Sequence, residues 1–262
     1  MNPIALIQTG CQLRRSQRRC PKPFTAHFRR SAFVAATAIL LCGCHPKDHS
    51  VTIPIPTAVA PQPSVPSSTP TNRAPEPGGA AWKSLFDGKT LQGWAVTDFA
   101  GRGEVAVEAG NIVLESGVMT GVNWTNAAEL PHINYEIALD AMRVEGSDFF
   151  CGLTFLVKDD PCSLIVGGWG GGVVGLSSLD GQDASNNDTT KYMNFDNGRW
   201  FAIRVRVMPE RIQCWIDNDP VVDVETKDRR ISIRPEVEAS RPLGIAAWST
   251  KAALKNIRLR KL

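Results

Sequence analysis

Histidine is scarce, and a net positive charge is absent, in the part of this sequence that has the composition of a folded domain. Residues 82–262 contain one histidine, His132, and they hold 24 acidic against 20 basic residues. A histidine-rich zinc site is therefore nearly excluded, because it needs several histidine side chains. A Ser-His-Asp triad would have to use His132, and no G-x-S-x-G nucleophile elbow is present. The excess of acid gives the domain no electrostatic reason to bind nucleic acid.

Helical periodicity is also missing from residues 82–262. No window longer than about a dozen residues repeats its apolar positions with the period of a helix. The sequence instead has short alternating or β-branched runs between turn residues, among them NYEIALDAM, FFCGLTFLV, WFAIRVRVM and RIQCWID. Short strands at roughly even spacing predict an all-β fold, a two-sheet antiparallel sandwich.

Acidic residues are absent from residues 1–43, which carry seven basic ones. The run SAFVAATAILLCG at 31–43 is too short to span a bilayer but has the length of a signal-peptide core. It leads into LCGC, which resembles the bacterial lipobox, so Cys44 is predicted to be the lipidated first residue of the mature protein. The alternative is a plain secretory signal in which Cys44 is incidental. Both interpretations predict export, and the first predicts a lipid-anchored protein of the cell envelope.

Aromatic residues are absent from the next segment, 44–81, which has nine prolines. Such a composition cannot bury enough apolar surface to fold, and prolines keep a chain extended. We therefore predict a disordered tether between the lipid and a domain at 82–262. The alternative, a protein-binding role for the prolines, is the less economical one.

Residues 167–181, GGWGGGVVGLSSLDG, hold six glycines within nine positions. No lysine and no helical pattern follow, so a phosphate-binding loop is excluded and no nucleotide is expected. Glycines in a strand allow close approach by a ligand, and Trp169 would then offer a stacking surface to a sugar ring. In the alternative interpretation the glycines form a bulged hairpin and Trp169 fills the core.

The runs WFAIRVRVM and RIQCWID are predicted to form a hairpin in which Val207 faces Ile212. One face of this hairpin is apolar and belongs to the core. On the other face Arg204 lies over Trp215, a stacking worth roughly 0.5–1 kcal/mol when exposed. That stacking alone explains the pair, but a sugar-binding face would use the same residue types. The candidate carbohydrate-binding residues here are Arg204, Arg206, Gln213 and Trp215.

Three carboxylates are candidates for the acid–base pair of glycoside hydrolysis. Glu136 and Asp140 share one face of a predicted strand, and Asp148 precedes the next strand. Carboxylates on strands are most often simply solvated, so the catalytic residues stay unassigned.

Hard oxygen ligands suited to calcium are concentrated in the stretch DGQDASNND. The candidate ligands are Asp180, Asp183, Asn187 and Asp188. Their spacing differs from an EF-hand loop, and a polar turn is the alternative. No other cofactor is expected.

The domain has three cysteines, an odd number. Alternation places Cys151 and Cys214 toward the core. If KDDP at 158–161 is a four-residue loop, Val157 faces Cys162, and Cys151 lies beyond the roughly 7 Å within which a disulfide to Cys162 can close. Buried free thiols are therefore predicted.

Four motifs give the domain a resemblance to a known family. They are WKSLFDGKTLQGW at its start, YEIALDAMRV, NGRWFAIRVRV followed by RIQCWIDNDPVVD, and ALKNIRLRKL at its end. These motifs resemble the 3-keto-disaccharide hydrolase-like domain family and span nearly all of residues 82–262. The resemblance implies a concanavalin A-like jelly-roll sandwich, a fold common in exported bacterial proteins that handle carbohydrate. It also implies cleavage of glycosides whose sugar has been oxidised to a 3-keto form.

The sequence departs from the family where its chemistry would lie. Gly167, Gly168 and Trp169 stand where relatives carry a strand with Tyr and Glu, and Trp248 and Ser249 stand where they carry a Gln…His element. The resemblance therefore implies the fold more strongly than the activity, since function belongs to the site.

Three functions follow from these observations. The first is an exported, membrane-tethered module that binds or processes carbohydrate. The second is a hydrolase or lyase acting on 3-keto-glycosides. The third is a structural protein of the cell envelope.

Overall fold

The computed structural model describes residues 80–262. This part of the chain forms fifteen strands, numbered here along the chain, and two 3₁₀ helices, Ala127–Glu129 and Pro235–Ser240. The predicted signal peptide with Cys44, and the predicted tether up to residue 79, lie outside the described residues. None of the helices within 80–262 has the length and apolar character needed to cross a membrane.

One sheet has eight strands, all paired antiparallel. Its order is β13-β12-β11-β6-β15-β4-β3, and β1 pairs with β15. The strands are β1 (Lys83–Ser84), β3 (Val105–Glu108), β4 (Asn111–Leu114), β6 (Tyr135–Gly146), β11 (Trp200–Met208), β12 (Arg211–Ile216), β13 (Asp219–Glu225) and β15 (Thr250–Lys261).

The other sheet has seven antiparallel strands in the order β10-β9-β8-β7-β14-β5-β2. They are β2 (Trp94–Val96), β5 (Met119–Trp124), β7 (Cys151–Val157), β8 (Asp160–Gly168), β9 (Val173–Ser177), β10 (Lys191–Tyr192) and β14 (Gly244–Trp248).

The core lies between the sheets and is built from alternate residues of their strands. Ile137 and Leu139 of β6 are buried in the same cluster as Leu153 and Phe155 of β7. Each such side chain contributes roughly 1.5–3 kcal/mol when fully buried. Because alternate residues point inward, each sheet also has an outer face. This architecture confirms the predicted all-β, two-sheet antiparallel sandwich of the concanavalin-like kind.

The predicted hairpin of β11 and β12 is confirmed in register. Val207 pairs with Ile212, and Arg204 pairs with Trp215. The Arg204 guanidinium carbon lies 3.9 Å from the centroid of the Trp215 ring.

The predicted register of β7 and β8 is wrong by two residues. Val157 pairs with Asp160, so the turn has two residues instead of four, and Cys162 lies opposite Phe155. The shorter turn forms because Lys158 adopts a left-handed conformation with φ 58°. The three thiols within residues 80–262 are buried and unpaired, and burial raises the pKa of Cys151 and of Cys162 to about 12.

Candidate functional site

A pocket of about 180 Å³ opens on the outer face of the seven-stranded sheet. We call this surface the pocket face. Its aromatic lining is Phe149, Trp169 and Trp248, its hydroxyl lining is Ser163 and Ser177, and its charged lining is Asp148, Arg234 and Glu236. Apolar walls, hydroxyls and charges thus converge on one small volume.

Trp169 lies at the tip of the β8–β9 hairpin with 45% of its surface exposed. The hairpin is bulged, as in the second interpretation, and its register shifts between Val166 and Gly168. Trp169 itself, however, is not in the core. Its φ is +50°, a region that a bulky residue rarely enters. Left-handed conformations cost a non-glycine residue roughly 1–2 kcal/mol, and such strain is concentrated at functional sites.

Gly168 holds the base of this hairpin against its neighbours. A Cβ at this position would lie 2.8 Å from Cγ2 of Ile165, which lines the pocket. No larger residue therefore fits unless Ile165 moves. Gly168 therefore allows close packing within the pocket wall, and it does not leave a surface without side chains beneath Trp169.

The Asp148 carboxylate accepts hydrogen bonds that hold the turn containing Trp169 in place beside the pocket. Its Oδ2 accepts a hydrogen bond from the Gly170 amide at 3.2 Å, and its Oδ1 accepts one from the Phe149 amide at 2.7 Å. Behind it, the buried Arg143 guanidinium donates to the carbonyls of Asp148 and Gly171 at 3.4 Å. This candidate acid thus acts in the structure as an acceptor that positions Trp169.

The hydroxyl groups that line the pocket belong to paired, outward-facing positions of the neighbouring strands β8 and β9. The Oγ atoms of Thr154 and Ser163 lie 2.8 Å apart and share a hydrogen bond. Ser177 is 1% exposed, and its Oγ has no hydrogen-bond partner within the described residues. A buried hydroxyl without a partner costs about 1–3 kcal/mol, so Ser177 is suited to bond with a bound ligand.

The remaining charges of the pocket are paired with each other. Arg234 donates to Glu236 at 2.8 Å and to Asp183 at 2.9 Å. The hydrogen bond from Arg234 holds the pKa of the Glu236 carboxyl below its ordinary value. Glu236 is therefore ionised near neutral pH and is a poor proton donor.

The structure separates the three candidate acids. Asp148 lies on the pocket face, whereas Glu136 and Asp140 lie on the outer face of the eight-stranded sheet. Packed sheets are about 10 Å apart, which exceeds the roughly 5–9.5 Å that separates the carboxylates of glycosidases. Glu136 and Asp140 are four residues apart on one strand, or roughly 13 Å. No two of these residues form a hydrolytic pair.

Glu136 is bound by arginines and is not solvated. Its side chain has no exposed surface, and its oxygens accept hydrogen bonds from Arg204, Arg206 and Arg260 at 3.0, 2.7 and 2.6 Å. Burial alone would raise the pKa of the Glu136 carboxyl, but the hydrogen bonds from Arg206 and Arg260 hold it below its ordinary value. Asp140 accepts a hydrogen bond from Asn256 at 2.6 Å.

The candidate carbohydrate-binding residues also fall on two surfaces. Trp169 lines the pocket, and the other four lie outward on the eight-stranded sheet beside Glu136. Those four are Arg204, Arg206, Gln213 and Trp215. A single sugar-binding site cannot include both groups.

The candidate calcium ligands are engaged by protein groups. Arg229 donates to Asp180 at 2.6 Å and to both oxygens of Asp188, and Asn187 donates to backbone carbonyls. Asp183 accepts from Ser185 and from Arg234. No group of three or more His, Cys, Asp or Glu side chains in residues 80–262 is placed to hold a metal ion. Calcium at this loop stays a prediction.

Several pocket residues were not anticipated from the sequence. Ser163 lies next to Cys162 in the chain, and strand alternation from this inward-facing cysteine indicates that Ser163 faces outward. Arg234 and Glu236 come from the segment between β13 and β14, which contains the short 3₁₀ helix Pro235–Ser240 and has no strand alternation. They reach the pocket through tertiary packing alone.

Three solved structures of sandwich proteins are similar to this chain at low identity. The carbohydrate-binding module CBM66 from Bacillus subtilis has 12% identity and a TM-score of 0.45, over 63% of this chain and 93% of that one. The Crh5 transglycosylase in complex with NAG has 11% identity and a TM-score of 0.47, over 70% and 83%. A protein with a galectin-like fold from Bacillus subtilis has 9% identity and a TM-score of 0.46, over 71% and 97%.

No match to this sequence was found among curated proteins. The family model of the 3-keto-alpha-glucoside-1,2-lyase-like domain, in contrast, matches residues 81–260. This range includes both sheets and every residue of the pocket. The chain therefore belongs to the family of 3-keto-alpha-glucoside-1,2-lyase-like domains.

Proposed function

We propose that this protein binds carbohydrate, and that the pocket on the seven-stranded sheet takes one sugar ring. Trp169 provides the ring surface on which the sugar stacks, and Ser177 provides a hydroxyl that bonds to a sugar oxygen. The protein acts outside the cytoplasm, anchored by a lipid on Cys44.

One observation carries this proposal: an exposed tryptophan borders the same pocket as a buried hydroxyl that has no hydrogen-bond partner among residues 80–262. Trp169 is 45% exposed and Ser177 is 1% exposed. Sugars present both an apolar ring face and hydroxyl groups, so they match this combination. A pocket of 180 Å³ is smaller than the roughly 300–1,000 Å³ of sites for drug-sized ligands, which favours a single ring.

Binding is better supported than hydrolysis. Asp148 is bonded to two backbone amides, and Glu236 is paired with Arg234. The Asp148 oxygens are thus engaged in positioning the Trp169 turn, and the lowered pKa of Glu236 disfavours the protonated state that a general acid requires. The second candidate function, cleavage of 3-keto-glycosides by a hydrolase or lyase, is favoured by the family to which the chain belongs.

A glycan array that includes 3-keto sugars and their parent glycosides tests the proposal. We expect retention of at least one sugar without release of product from any 3-keto-disaccharide. Product release at the pocket would support the second function. A protein that retains no sugar and releases no product would contradict both.

Ser177→Ala should weaken sugar binding and leave the fold intact. The substitution removes a buried hydroxyl that no group in the described part of the chain bonds to, so the melting temperature should stay the same or rise. A lost hydrogen bond to ligand is worth about 0.5–1.5 kcal/mol, or roughly a twofold to twelvefold loss of affinity. Titration calorimetry measures this change. Ser84→Ala, which removes a hydroxyl bonded to the Phe86 carbonyl on an exposed strand, should leave the affinity unchanged.

The anchoring part of the proposal rests on LCGC at residues 41–44. Cys44→Ala should release the protein from membranes or block its processing, because the thiol is the site of lipid attachment. Fractionation of cells expressing each variant gives the result. Cys42→Ala is the matched control and should stay membrane-bound. Unchanged membrane association of a correctly processed Cys44→Ala protein would refute the anchor.

A further inference from the structure

Tyr192 has the most exposed large apolar side chain within residues 80–262, with 77% of its surface accessible. Trp169, at 45%, is the other exposed aromatic side chain in this range. A lone exposed apolar residue needs no explanation. The placement of Tyr192 relative to Trp169 therefore decides whether it has a role.

Tyr192 lies on the same outer face of the seven-stranded sheet as the pocket. It belongs to the edge strand β10 and pairs with Val173 of β9. Val173 packs on the outer face with Ile165, which lines the pocket, and directly paired residues of antiparallel strands share a face. The neighbouring Lys191 points the opposite way, because its Nζ donates to the Pro220 carbonyl of the other sheet at 2.9 Å. Both observations place Tyr192 on the pocket face.

Two strand spacings separate Tyr192 from the base of the hairpin that carries Trp169. Gly168, Val173 and Tyr192 pair in one row across β8, β9 and β10, which places the outer two backbones roughly 9.5 Å apart. The middle of the row is closed, because Val173 is 3% exposed and packs with Ala184. Trp169 lines the pocket and Tyr192 lies outside it. A ligand that contacts both rings is therefore longer than the ring in the pocket.

The hairpin tip between the two aromatic rings carries no side chains, because residues 170–172 are glycines. A Cβ at Gly170 would meet no atom within 4 Å, so the surface there is open. The Gly172 carbonyl accepts a hydrogen bond from the Met193 amide at 2.9 Å, which holds the tip beside the residue that follows Tyr192. An open path thus leads from the pocket over the tip to the second ring.

We propose that the pocket face binds a glycan chain, in which one sugar fills the pocket against Trp169 and a further sugar stacks on Tyr192. This inference rests on the sugar binding proposed above and extends it from one ring to a chain. A tyrosine presents an apolar ring and a hydroxyl group, which match the two kinds of surface that a sugar offers. Because the further sugar is linked to the one in the pocket, it meets Tyr192 at a high effective concentration. The chain therefore binds more tightly than its single sugar.

The dependence of affinity on chain length tests this inference. The probes are gluco-, manno- and galacto-oligosaccharides, each from the monosaccharide to the tetramer, titrated into the intact protein. In the series that binds best, we expect the affinity to rise roughly fivefold or more once the chain reaches Tyr192. Tyr192→Ala should remove this gain and leave the affinity for the monosaccharide unchanged. Tyr192→Phe, which keeps the ring, should retain most of the gain.

A matched variant, Ile133→Ala, shortens another exposed apolar side chain, in the loop before β6, and should bind every probe like the wild type. Equal affinity for the monosaccharide and the longer chains would overturn the inference and leave the proposed function intact. A gain that persists in Tyr192→Ala would place the further sugars elsewhere and also overturn it. So would a dimer that Tyr192→Ala dissociates without any effect of chain length, since the ring would then contact a second copy of the chain. Absence of binding by every sugar, the monosaccharides included, would contradict the proposed function together with this inference.

Discussion

Trp169→Ala is expected to abolish most sugar binding without lowering the stability of the protein. Stacking on an aromatic side chain is worth about 1–3 kcal/mol, a magnitude known for nucleobases, so the affinity should fall by roughly fivefold to more than a hundredfold. The ring is 45% exposed and outside the core. The loss of about 3–5 kcal/mol of stability that follows truncation of a core aromatic side chain is therefore not expected. Calorimetric titration and a thermal melt give the two quantities.

The turn conformation allows a second variant to sharpen this result. Because Trp169 has φ +50°, Trp169→Gly removes the ring and also relieves the backbone strain. Its melting temperature should equal or exceed that of the wild type, while its sugar affinity matches that of Trp169→Ala. Trp215→Ala, the same truncation on the outer face of the eight-stranded sheet, should retain the sugar. If Trp169→Ala melts early and still binds, the ring has a structural role and the stacking hypothesis fails.

Glu136→Gln is expected to destabilise the fold strongly although Glu136 lies far from the pocket. The substitution leaves Arg204, Arg206 and Arg260 without their shared carboxylate. Loss of one partner of a buried ion pair costs about 3–5 kcal/mol; because two of the arginines are about a quarter exposed, we expect about 3 kcal/mol. A protein of this size should then melt roughly 6–12 °C lower. Asp140→Asn, on the same strand face, should change stability by less than about 0.5 kcal/mol.

The same carboxylate predicts how stability depends on pH. Its pKa in the folded protein lies below the ordinary value of 4.5, so the unfolded chain binds the proton more tightly. The stabilisation is therefore complete above pH 4.5 and is lost as the pH falls through the folded pKa. Denaturant unfolding at a series of pH values should show this loss in the wild type and not in Glu136→Gln. Parallel pH profiles for the two proteins would show that the arginine contacts of Glu136 do not stabilise the fold.

The sequence predicts those features of the fold that depend on residues close together in the chain. The register of β11 and β12 followed from placing MPER, residues 208–211, at the turn, since alternation shows only that the apolar residues of both strands face the core together. The β7–β8 register was not predicted correctly, since alternation is unchanged by a shift of two residues and the turn at Lys158 decides the pairing. The sequence did not decide whether Trp169 is buried or exposed, because the glycines that flank it have no side chains to indicate which face of the strand is buried.

The candidate site was less predictable than the fold. Arg234 and Glu236 meet Asp148 and Trp169 only after the segment between β13 and β14 packs over the seven-stranded sheet. The sharing of Glu136 among three arginines depends on the pairing of β6 with both β11 and β15. Contacts between residues this distant in sequence leave no local pattern.

The most direct test of the account is to observe which tryptophans respond to the sugar. All seven tryptophans of the chain lie in residues 82–262, and each gives one indole signal in a nitrogen–proton NMR spectrum, which substitutions can assign. On addition of the best glycan from the array, the signals of Trp169 and Trp248 should shift, while those of Trp82, Trp200 and Trp215 should not. Shifts confined to Trp82, Trp200 and Trp215 would place the sugar on the outer face of the eight-stranded sheet and contradict the account.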